Sequence, residues 1–340
     1  MQSLLISVVV VNLNGEGYLH GCLASLKLQT FRSFEVIVVD NGSKDRSLEI
    51  LERDFPWVRV IPLEVNTGFA SGNNVGIYAS RAEYIATLNN DTIVDAGWLQ
   101  ALYDAAETND RIGMVASKIF LGQEGRRLDS AGMLVYPDGM SRQRGRGEQD
   151  NGRFDRVEEV LFPSACAALY RRSMLDEIGL FDEEFVSYCE DSDLGLRARL
   201  AGWRAVLAPE ARVRHLYSKT GGSYSAFKAF QVERNHLWVL LKDLPVQYIL
   251  TSAFFTAWRF AVQLYSLVSG KGNAARFSKA CGPVSMVLAV VRAYGSALAG
   301  APQALKKRRK IWKGKRLRAG EYRSLLKKYR ITAQELILKE

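Results

Sequence analysis

The first half of the chain alternates between short apolar runs and longer amphipathic stretches. Apolar, β-branched runs predict strands at Leu5–Asn12, Phe34–Asp40, Val58–Pro62, Tyr84–Asn89 and Ile112–Ser117. The stretches between them predict helices at Tyr18–Leu28, Asp45–Phe55, Gly72–Ser80 and Ala96–Thr108. Apolar strands separated by helices are typical of a mostly parallel sheet with helices on both faces. The pattern therefore predicts an α/β fold that binds its ligands at the carboxyl ends of the strands.

Residues 119–160 interrupt this alternation. They are rich in Gly, Arg, Asp and Gln, and this composition indicates either a mobile insertion near a site or a solvated hairpin. Alternation resumes over Leu161–Tyr170, and helical periodicity follows near Ser173–Ile178 and over Glu190–Ala201. Beyond Tyr224 the pattern is helical throughout.

The last hundred or so residues differ in composition from the rest. Apolar helices are predicted at Tyr248–Leu267 and Pro283–Leu305, and a basic segment follows at 306–330. We therefore divide the chain into an α/β domain, residues 1–240, and a helical, basic C-terminal region, residues 241–340.

The positive charge of the protein is concentrated in that basic segment. The net charge is +10, but residues 306–330 hold 13 of the 46 Lys and Arg residues and only one acid. A basic segment after apolar helices favours docking on an anionic membrane surface, where each cation contributes about 1 kcal/mol. The alternatives are a solvated helix and nucleic-acid binding with Trp312 as a stacking residue. Because no nucleic-acid motif precedes the segment, we expect no nucleic acid as a partner.

Three features bear on where the protein works. Tyr248–Leu267 is nearly long enough to cross a bilayer, but Arg259 in its middle would cost roughly 3 kcal/mol there. An interfacial or a buried helix is therefore favoured.

Four cysteines without metal-ligand spacing indicate reduced thiols, and no signal peptide is evident before the first strand. We expect a cytoplasmic protein that lies on the inner face of the cell membrane.

Polar clusters occur at the ends of the predicted strands. They are Asn12–Gly15, Asp40–Ser43 and Asn89–Thr92, with Asn66–Gly76 between the third and fourth strands. One such cluster is ordinary turn chemistry. Four clusters at one edge of one sheet would line a cleft with amides, carboxylates and backbone N–H groups, and such a cleft suits a nucleotide and its phosphates.

The glycine pattern disfavours two common classes of nucleotide-binding protein. The first turn runs from Gly15 to His20, and the third glycine of a dinucleotide-binding motif would fall on His20. The phosphate-binding motif G-x-x-x-x-G-K-S/T does not occur in the sequence. A dehydrogenase and a P-loop enzyme are therefore disfavoured.

The polar clusters resemble the motifs of family-2 inverting glycosyltransferases with the GT-A fold. The matching stretches are Val-Val-Asn-Leu-Asn-Gly, Val-Val-Asp-Asn-Gly-Ser, Asn-x-Gly-Phe-Ala-x-Gly-Asn-Asn-x-Gly and Leu-Asn-Asn-Asp-Thr. The resemblance covers about residues 4–240 and is closest to the rhamnosyltransferase-like enzymes of bacterial polysaccharide synthesis. It implies a Rossmann-like GT-A domain that transfers a sugar from a dTDP-rhamnose-like or UDP-sugar donor. The acceptor would be a hydroxyl of a glycan or a lipid-linked glycan.

The resemblance also implies which side chains contact the donor. It places Asn12, Asp40 and Asn41 around the base and ribose, and Asn66, Asn73 and Asn74 at ribose, diphosphate or donor sugar. Asp40 fits this position because a carboxylate accepts hydrogen bonds from a pyrimidine N–H or a ribose hydroxyl. Arg234 and Asn235 are assigned either to the diphosphate or to the structure of the late helix.

The leaving diphosphate develops negative charge, which a bound cation would stabilise. Asp91 ends a strand and is a ligand that hard cations prefer. The resemblance puts Asn89, Asn90 and Asp91 at the family's Asp-x-Asp motif, although Asn89 is an amide where an acid is expected. It also implies that His215 completes the site, and His, carboxylate and phosphate ligands favour Mn²⁺ or Mg²⁺. The alternatives are a helix cap at Asp91 and a structural role for His215.

The acceptor hydroxyl must lose a proton, so a carboxylate should face it. Glu190, Asp191 and Asp193 open a predicted helix, where the helix dipole stabilises ionised carboxylates. Asp193 can pair with Arg197 one turn later, which leaves the other two acids for a cleft. The pattern Glu-Asp-x-Asp-Leu-x-x-Arg resembles the family's acceptor-side motif. That resemblance implies Asp191 as the catalytic base and Glu190 as a residue that binds or orients the acceptor; an ordinary acidic helix start is the alternative.

Two other functions share part of this pattern. A nucleotidyltransferase acting on sugar phosphates would use a similar sheet and metal-binding carboxylates, but it usually needs a glycine-rich, basic phosphate loop. A non-catalytic, membrane-bound sugar-nucleotide sensor would need no base. The combination of Asp91, Asp191 and His215 favours a glycosyltransferase over both.

Overall fold

The computed structural model describes residues 4–123, 125–217 and 225–339. The strands are Ile6–Asn12 (β1), Phe34–Asp40 (β2), Arg59–Pro62 (β3), Tyr84–Asn89 (β4), Thr92–Val94 (β5), Ile112–Leu121 (β6), Leu128–Ser130 (β7), Met133–Val135 (β8), Ser141–Gln143 (β9), Glu158–Val160 (β10), Ala167–Arg171 (β11) and Arg204–His215 (β12). The helices are Leu19–Lys27 (α1), Ser47–Asp54 (α2), Phe69–Ala79 (α3), Trp98–Glu107 (α4), Arg172–Ile178 (α5), Glu190–Leu200 (α6), Ala226–Asp243 (α7), Val246–Ser269 (α8), Asn273–Cys281 (α9), Pro283–Lys313 (α10), Ala319–Lys328 (α11) and Ala333–Leu338 (α12).

The strands and helices predicted in the first half are confirmed, with small differences in their bounds. The main sheet has the order β10-β12-β6-β11-β4-β1-β2-β3, and β1 pairs in parallel with both β2 and β4. In this register Asn12 is opposite Asp40, and Val11 is opposite Asn89. The polar ends of three strands therefore meet at one edge of the sheet, as the sequence predicted.

The sheet is mixed rather than wholly parallel. β11 lies between β4 and β6 and is antiparallel to both, whereas β12 is parallel to β6. We did not predict β12, because charged residues interrupt its apolar alternation. A register shift between Ala208 and Arg212 bends β12, and its end carries His215 to the same edge as Asp91.

The interpretation of residues 119–160 as a solvated hairpin was wrong, because most of this segment is packed into the molecule. It contains strands β7, β8 and β9, and its side chains include Tyr136 and Phe154, each 2% exposed. The apolar residues are few, but most of them pack inward. Lys118, just before the segment, is buried and pairs with Asp150 inside it at 2.8 Å.

The C-terminal helices share the hydrophobic core of the α/β domain. Trp238 of α7, Ala297 of α10 and Tyr322 of α11 are buried in the same cluster as the side chains of β11 and α6. The predicted boundary at residue 240 falls inside α7. The C-terminal region is therefore a packed part of the fold and not a separate appendage.

Arg259 is buried inside α8 and does not face a bilayer. Its guanidinium donates to Asp138 at 2.7 Å and to both carboxylate oxygens of Glu233 at 2.7 and 2.9 Å. This network connects α8 to α7 and to the segment between β8 and β9. Among the described residues, one helix, Pro283–Lys313, is long and apolar enough to cross a membrane by length and composition alone.

Candidate active site

Three residues that were predicted to contact the nucleotide-sugar donor form a hydrogen-bonded row across the strand ends. Asn12 donates to Asp40 at 2.9 Å and to Ser43 at 3.2 Å, and Asn90 donates to Asn12 at 2.8 Å. Ser43 also donates to Asp40 at 2.6 Å through its hydroxyl. The structure thus brings Asn12, Asp40 and Asn90 together, with Asn12 and Asp40 buried beneath the edge.

Asn41 shapes the loop that leads into α3. Its amide donates to Asn66 at 3.1 Å and to the Gly68 carbonyl at 3.0 Å, and its carbonyl accepts from the Thr67 N–H at 2.9 Å. Gly68 has a φ of 89°, and a Cβ there would meet Val186 at 2.7 Å. This loop therefore lies directly against the segment that precedes α6.

Asn73 and Asn74 are buried within the scaffold. Asn73 donates to the Phe69 carbonyl one turn earlier in α3 at 2.9 Å. Asn74 donates to the Phe181 carbonyl at 2.8 Å and to Glu183 at 2.9 Å, and it accepts from the Phe181 N–H at 3.2 Å. The described hydrogen bonds of the Asn74 amide are therefore all made inside the protein, and its contact with a donor stays a prediction.

Asp91 and His215 lie next to each other, as the resemblance implied. The His215 Nε2 atom is 3.3 Å from the Asp91 carboxylate, and its Nδ1 atom is 2.8 Å from the Asp129 carboxylate. Antiparallel pairing of β5 with β12 holds the two segments together. The backbone of Leu216 adds a hydrogen bond to the Asp91 carbonyl at 2.8 Å.

Asp129 is a site residue that the sequence did not reveal. It is 2% exposed and also contacts Arg146 and Tyr217. Although burial opposes ionisation, the hydrogen bond from His215 and the charge of Arg146 hold the pKa of Asp129 below its usual value. An ionised Asp129 can only accept, so it fixes the proton on Nδ1 and leaves Nε2 facing Asp91.

This corner of the site fits a divalent cation. Burial opposes a charged ring, but Cys166 and the carboxylates of Asp129 and Asp91 raise the pKa of His215 well above its usual value. The pocket thus already stabilises a positive charge. Among the described residues, no group of three His, Cys, Asp or Glu side chains has the arrangement of a complete metal site. Asp91 and His215 would therefore share a cation with ligands from outside the protein, such as phosphate oxygens.

The residues before α6 have an unusual backbone. Val186, Tyr188 and Cys189 have φ angles of 62°, 69° and 67°, in the left-handed region that side chains disfavour. Asn235 of α7 holds this loop by donating to the Ser187 carbonyl at 2.9 Å and the Tyr188 carbonyl at 2.7 Å. These hydrogen bonds support a structural role for Asn235 over a contact with the diphosphate. The strained loop sets where α6 begins.

Asp191 and Glu190 open α6 in a buried position. Asp191 accepts from the Ala165 N–H at 3.4 Å and from the Ser192 hydroxyl at 3.2 Å, and burial raises its pKa. Burial and the charge of Asp191 raise the pKa of Glu190 well above its usual value. The Glu190 Oε2 atom has no hydrogen-bond partner among the described residues. Burial therefore raises the pKa of both acids at the start of α6, and that of Glu190 well above its usual value.

The predicted pair between Asp193 and Arg197 is confirmed at 2.8 Å. Lys242 of α7 also contacts Asp193, and Arg197 donates to the carbonyls of Ile178 and Leu180 at 2.8 and 2.7 Å. Asp193 is thereby committed to holding α6 in place, and only the first two acids of the helix remain for the cleft.

One cavity of about 850 Å³ connects these groups. Its lining includes Asn89, Glu190, Asp191 and His215, together with the cations Arg146 and Lys228. The base and ribose residues implied by the motifs, Asn12, Asp40 and Asn41, do not line it.

Lys228 is a second residue that the sequence did not single out. It lies in the first turn of α7, its ammonium group is 5.3 Å from the Tyr188 ring, and no described carboxylate pairs with it. Burial and the nearby charge of Arg146 lower its pKa to about 8. A partly buried cation of this kind favours an anionic ligand in the cavity.

A mixed, mostly parallel sheet with flanking helices and a polar cleft at its carboxyl edge has the GT-A fold. The model of the glycosyl transferase family 2 matches residues 7–179, and the chain belongs to this family. The match ends before α6 and β12, so the positions of Asp191 and His215 are supplied by the structure.

Similar proteins support this assignment. The N-acetylglucosaminyl-diphospho-decaprenol L-rhamnosyltransferase of Mycobacterium tuberculosis is 32% identical over 230 residues, which are 61% of this chain and 75% of the relative. Staphylococcal TarS 1–349, solved with UDP, has a TM-score of 0.51 and 20% identity, covering 96% of this chain and 91% of its own. GalNAc-T7, solved with UDP, GalNAc and Mn²⁺, has a TM-score of 0.56 and 17% identity, covering 70% of this chain and 48% of its own.

Proposed function

We propose that this glycosyltransferase transfers a sugar, with inversion, from a dTDP-rhamnose-like or UDP-sugar donor to a hydroxyl of a glycan or lipid-linked acceptor. The product would be part of a cell-surface polysaccharide. The observation that carries the proposal is that Asp191 and His215, which contacts Asp91, line one cavity. The related rhamnosyltransferase supports a deoxysugar donor and a lipid-linked acceptor.

In the proposed reaction, the Asp191 carboxylate takes the proton from the acceptor hydroxyl as the oxygen attacks the anomeric carbon. The new glycosidic bond forms on one face of the sugar while the bond to the diphosphate breaks on the other. A single displacement of this kind inverts the anomeric centre. Glu190, whose pKa burial raises well above its usual value, would when protonated donate a hydrogen bond that orients the acceptor.

Asp91 and His215 would hold Mn²⁺ or Mg²⁺, which stabilises the negative charge of the leaving diphosphate when bound. Lys228 and Arg146 lie beside this corner and would attract the same diphosphate. Asn89 replaces the first acid of the motif. The Oδ1 atom of its side chain is buried without a hydrogen-bond partner among the described residues, so it is available to the donor sugar or the cation.

We also propose that the enzyme works on the cytoplasmic face of the membrane. The basic segment 306–330 is not a free tail, since Lys307 pairs with Asp182 at 2.7 Å and Arg308 donates to the Leu244 carbonyl at 2.7 Å. The remaining exposed cations of this segment can still face anionic lipids. Deletion of the whole segment would remove buried side chains of α11, so substitutions are the better test.

The test of function is product formation by the purified protein. We expect transfer from one of a panel of dTDP- and UDP-sugars to a lipid extract or an alkyl glycoside, dependent on Mn²⁺ or Mg²⁺, with an inverted anomeric centre by NMR. Retention of the anomeric configuration would contradict a single displacement by Asp191. Binding of the donor without transfer to any acceptor would instead favour a sugar-nucleotide sensor.

A further inference from the structure

The cavity that contains Asp191 extends into the C-terminal helices. Beyond the catalytic groups its lining becomes apolar, with side chains from α9, α10 and α12: Phe277, Met286, Val290, Leu336 and Ile337. A sugar or a nucleotide has no need of such a surface. The apolar arm therefore indicates that part of a ligand is hydrocarbon.

α10 carries an apolar stripe that has no protein partner among the described residues. Val284, Val287, Val291 and Leu298 are 71, 62, 63 and 74% exposed, and their spacing places them on one side of the helix. The opposite side is a row of buried alanines, such as Ala297, whose carbonyl accepts from Trp238 of α7 at 3.2 Å. Met286 and Val290 lie on the side of the alanines and line the cavity, and Val290 is next to Val287 of the exposed stripe, one turn earlier.

The same side of α10 ends in positive charge. Lys306, Arg309 and Lys313 continue the stripe at helical spacing and are all exposed. An apolar stripe that runs into a row of cations is typical of a helix in the interface of an anionic membrane. A second copy of this basic chain would bring like charges together, which disfavours a dimer through this surface.

α8 adds a second exposed apolar face. Leu250, Phe254 and Val268 are 77, 70 and 82% exposed, while Arg259 and Val262 on the other side are buried. Neighbouring side chains connect α8 to α10, since the rings of Phe260 and Tyr294 are 6.1 Å apart. Two adjacent helices therefore present apolar surface next to the cavity.

We propose that the exposed faces of α8 and α10 lie on an anionic lipid surface, and that the apolar arm of the cavity admits the hydrocarbon chain of a lipid-linked acceptor. This deepens the proposed function and rests on it. Lys228 and Arg276 line the same cavity and suit the phosphate that joins chain and glycan. α10 stays on the surface, because crossing the bilayer would separate its alanine row from α7.

The membrane part of the proposal is tested with vesicles of phosphatidylcholine, with and without phosphatidylglycerol. We expect the wild type to sediment with the anionic vesicles and to be released by carbonate. The double variant V287D/V291D should bind at least tenfold more weakly. V157D, which places one aspartate at a 56% exposed valine in a loop, should bind as the wild type does. Equal binding of both variants, or resistance to carbonate, would overturn surface docking.

The apolar arm is tested with farnesyl diphosphate as the probe and pyrophosphate as the matched control, by calorimetry. In the wild type we expect farnesyl diphosphate to bind roughly tenfold more tightly than pyrophosphate. V290D should remove this preference and leave pyrophosphate binding within about twofold, whereas V290L should retain it. If the wild type does not prefer farnesyl diphosphate to pyrophosphate, or if V290D keeps this preference, the apolar arm does not bind a hydrocarbon chain.

The two proposals fail in different ways. Binding of UDP and dTDP, and transfer to a soluble alkyl glycoside, report on the catalytic site alone. If the wild type binds neither nucleotide, the proposed function fails even when farnesyl diphosphate binds. If V290D still transfers to the soluble acceptor but loses farnesyl diphosphate, the apolar arm is supported independently of folding.

Discussion

Asp129 accepts a hydrogen bond from the Nδ1 atom of His215 at 2.8 Å. The opposite nitrogen of the ring is thereby directed at Asp91, 3.3 Å away. A carboxylate that accepts from a ligating histidine fixes the orientation and tautomer of its ring. Loss of such a partner typically lowers metal affinity about 10- to 100-fold. Asp129 is therefore a positioning residue for the proposed cation site.

D129N should weaken Mn²⁺ binding without abolishing activity. An amide can present its N–H to the ring and favour the wrong tautomer, so we expect roughly a 10- to 100-fold rise in the Mn²⁺ concentration for half activity. Saturating Mn²⁺ should restore most of kcat, which loss of structure would not allow. The control is D176N, at an exposed acid of α5. An unchanged Mn²⁺ requirement in D129N would show that the ion does not depend on His215.

D191N should bind the nucleotide normally but lose transfer. Its carboxylate lines the cavity at the start of α6, and removal of a general base typically costs about 10²- to 10⁴-fold in rate. The measurements are kcat for transfer and the Kd for UDP or dTDP. Near-normal turnover in D191N, with a folded protein by thermal melting, would exclude Asp191 as the base.

The sheet and the acidic residues could be predicted from the sequence because each depends on local pattern. Buried parallel strands are continuous apolar runs, and polar residues at their ends fall at one edge whatever the rest of the chain does. Asp129 and Lys228 could not be predicted in this way. Their positions depend on how the segment between β6 and β10, and the start of α7, fold back over that edge.

Tertiary structure also decides features that the sequence cannot show. Asn74 belongs to a conspicuous motif, and its helix turns the amide toward Phe181. Residues 119–160 look solvated because polar residues outnumber apolar ones. Some of their charges are instead paired in buried positions, as Asp150 with Lys118 shows.

E190Q should stabilise the protein at neutral pH. The pKa of Glu190 is raised in the folded state above its usual value of 4.5, so the folded protein binds the proton more tightly than the unfolded chain. Stability is then greatest below pH 4.5 and falls as the pH rises toward the folded pKa. Glutamine cannot ionise, so the melting temperature of E190Q should exceed that of the wild type at pH 7 and approach it near pH 4. A lower melting temperature for E190Q at pH 7 would contradict a buried, protonated Glu190.

R259M should destabilise the whole protein and not α8 alone. The substitution leaves Asp138 and Glu233 buried without their cation, and breaking a buried pair in this way costs about 3–5 kcal/mol. Because α8 and α7 share the core of the α/β domain, we expect one cooperative unfolding transition at lower denaturant concentration. R259K, which keeps a charge, should lose less. Two separate transitions in R259M would show that the C-terminal helices unfold independently.

N89D should lower the Mn²⁺ concentration that the enzyme needs. The side-chain Oδ1 atom of Asn89 is buried at the cavity without a hydrogen-bond partner among the described residues. An acid in its place adds a negative charge beside the Asp91–His215 corner. Hard cations bind carboxylates more tightly than amides, so half activity should require several-fold less Mn²⁺, on the order of fivefold. N90D is the matched control, because Asn90 donates to Asn12 at 2.8 Å, and an acid there should weaken donor binding instead. An Mn²⁺ requirement that stays constant or rises in N89D would place Asn89 at the donor sugar and away from the cation.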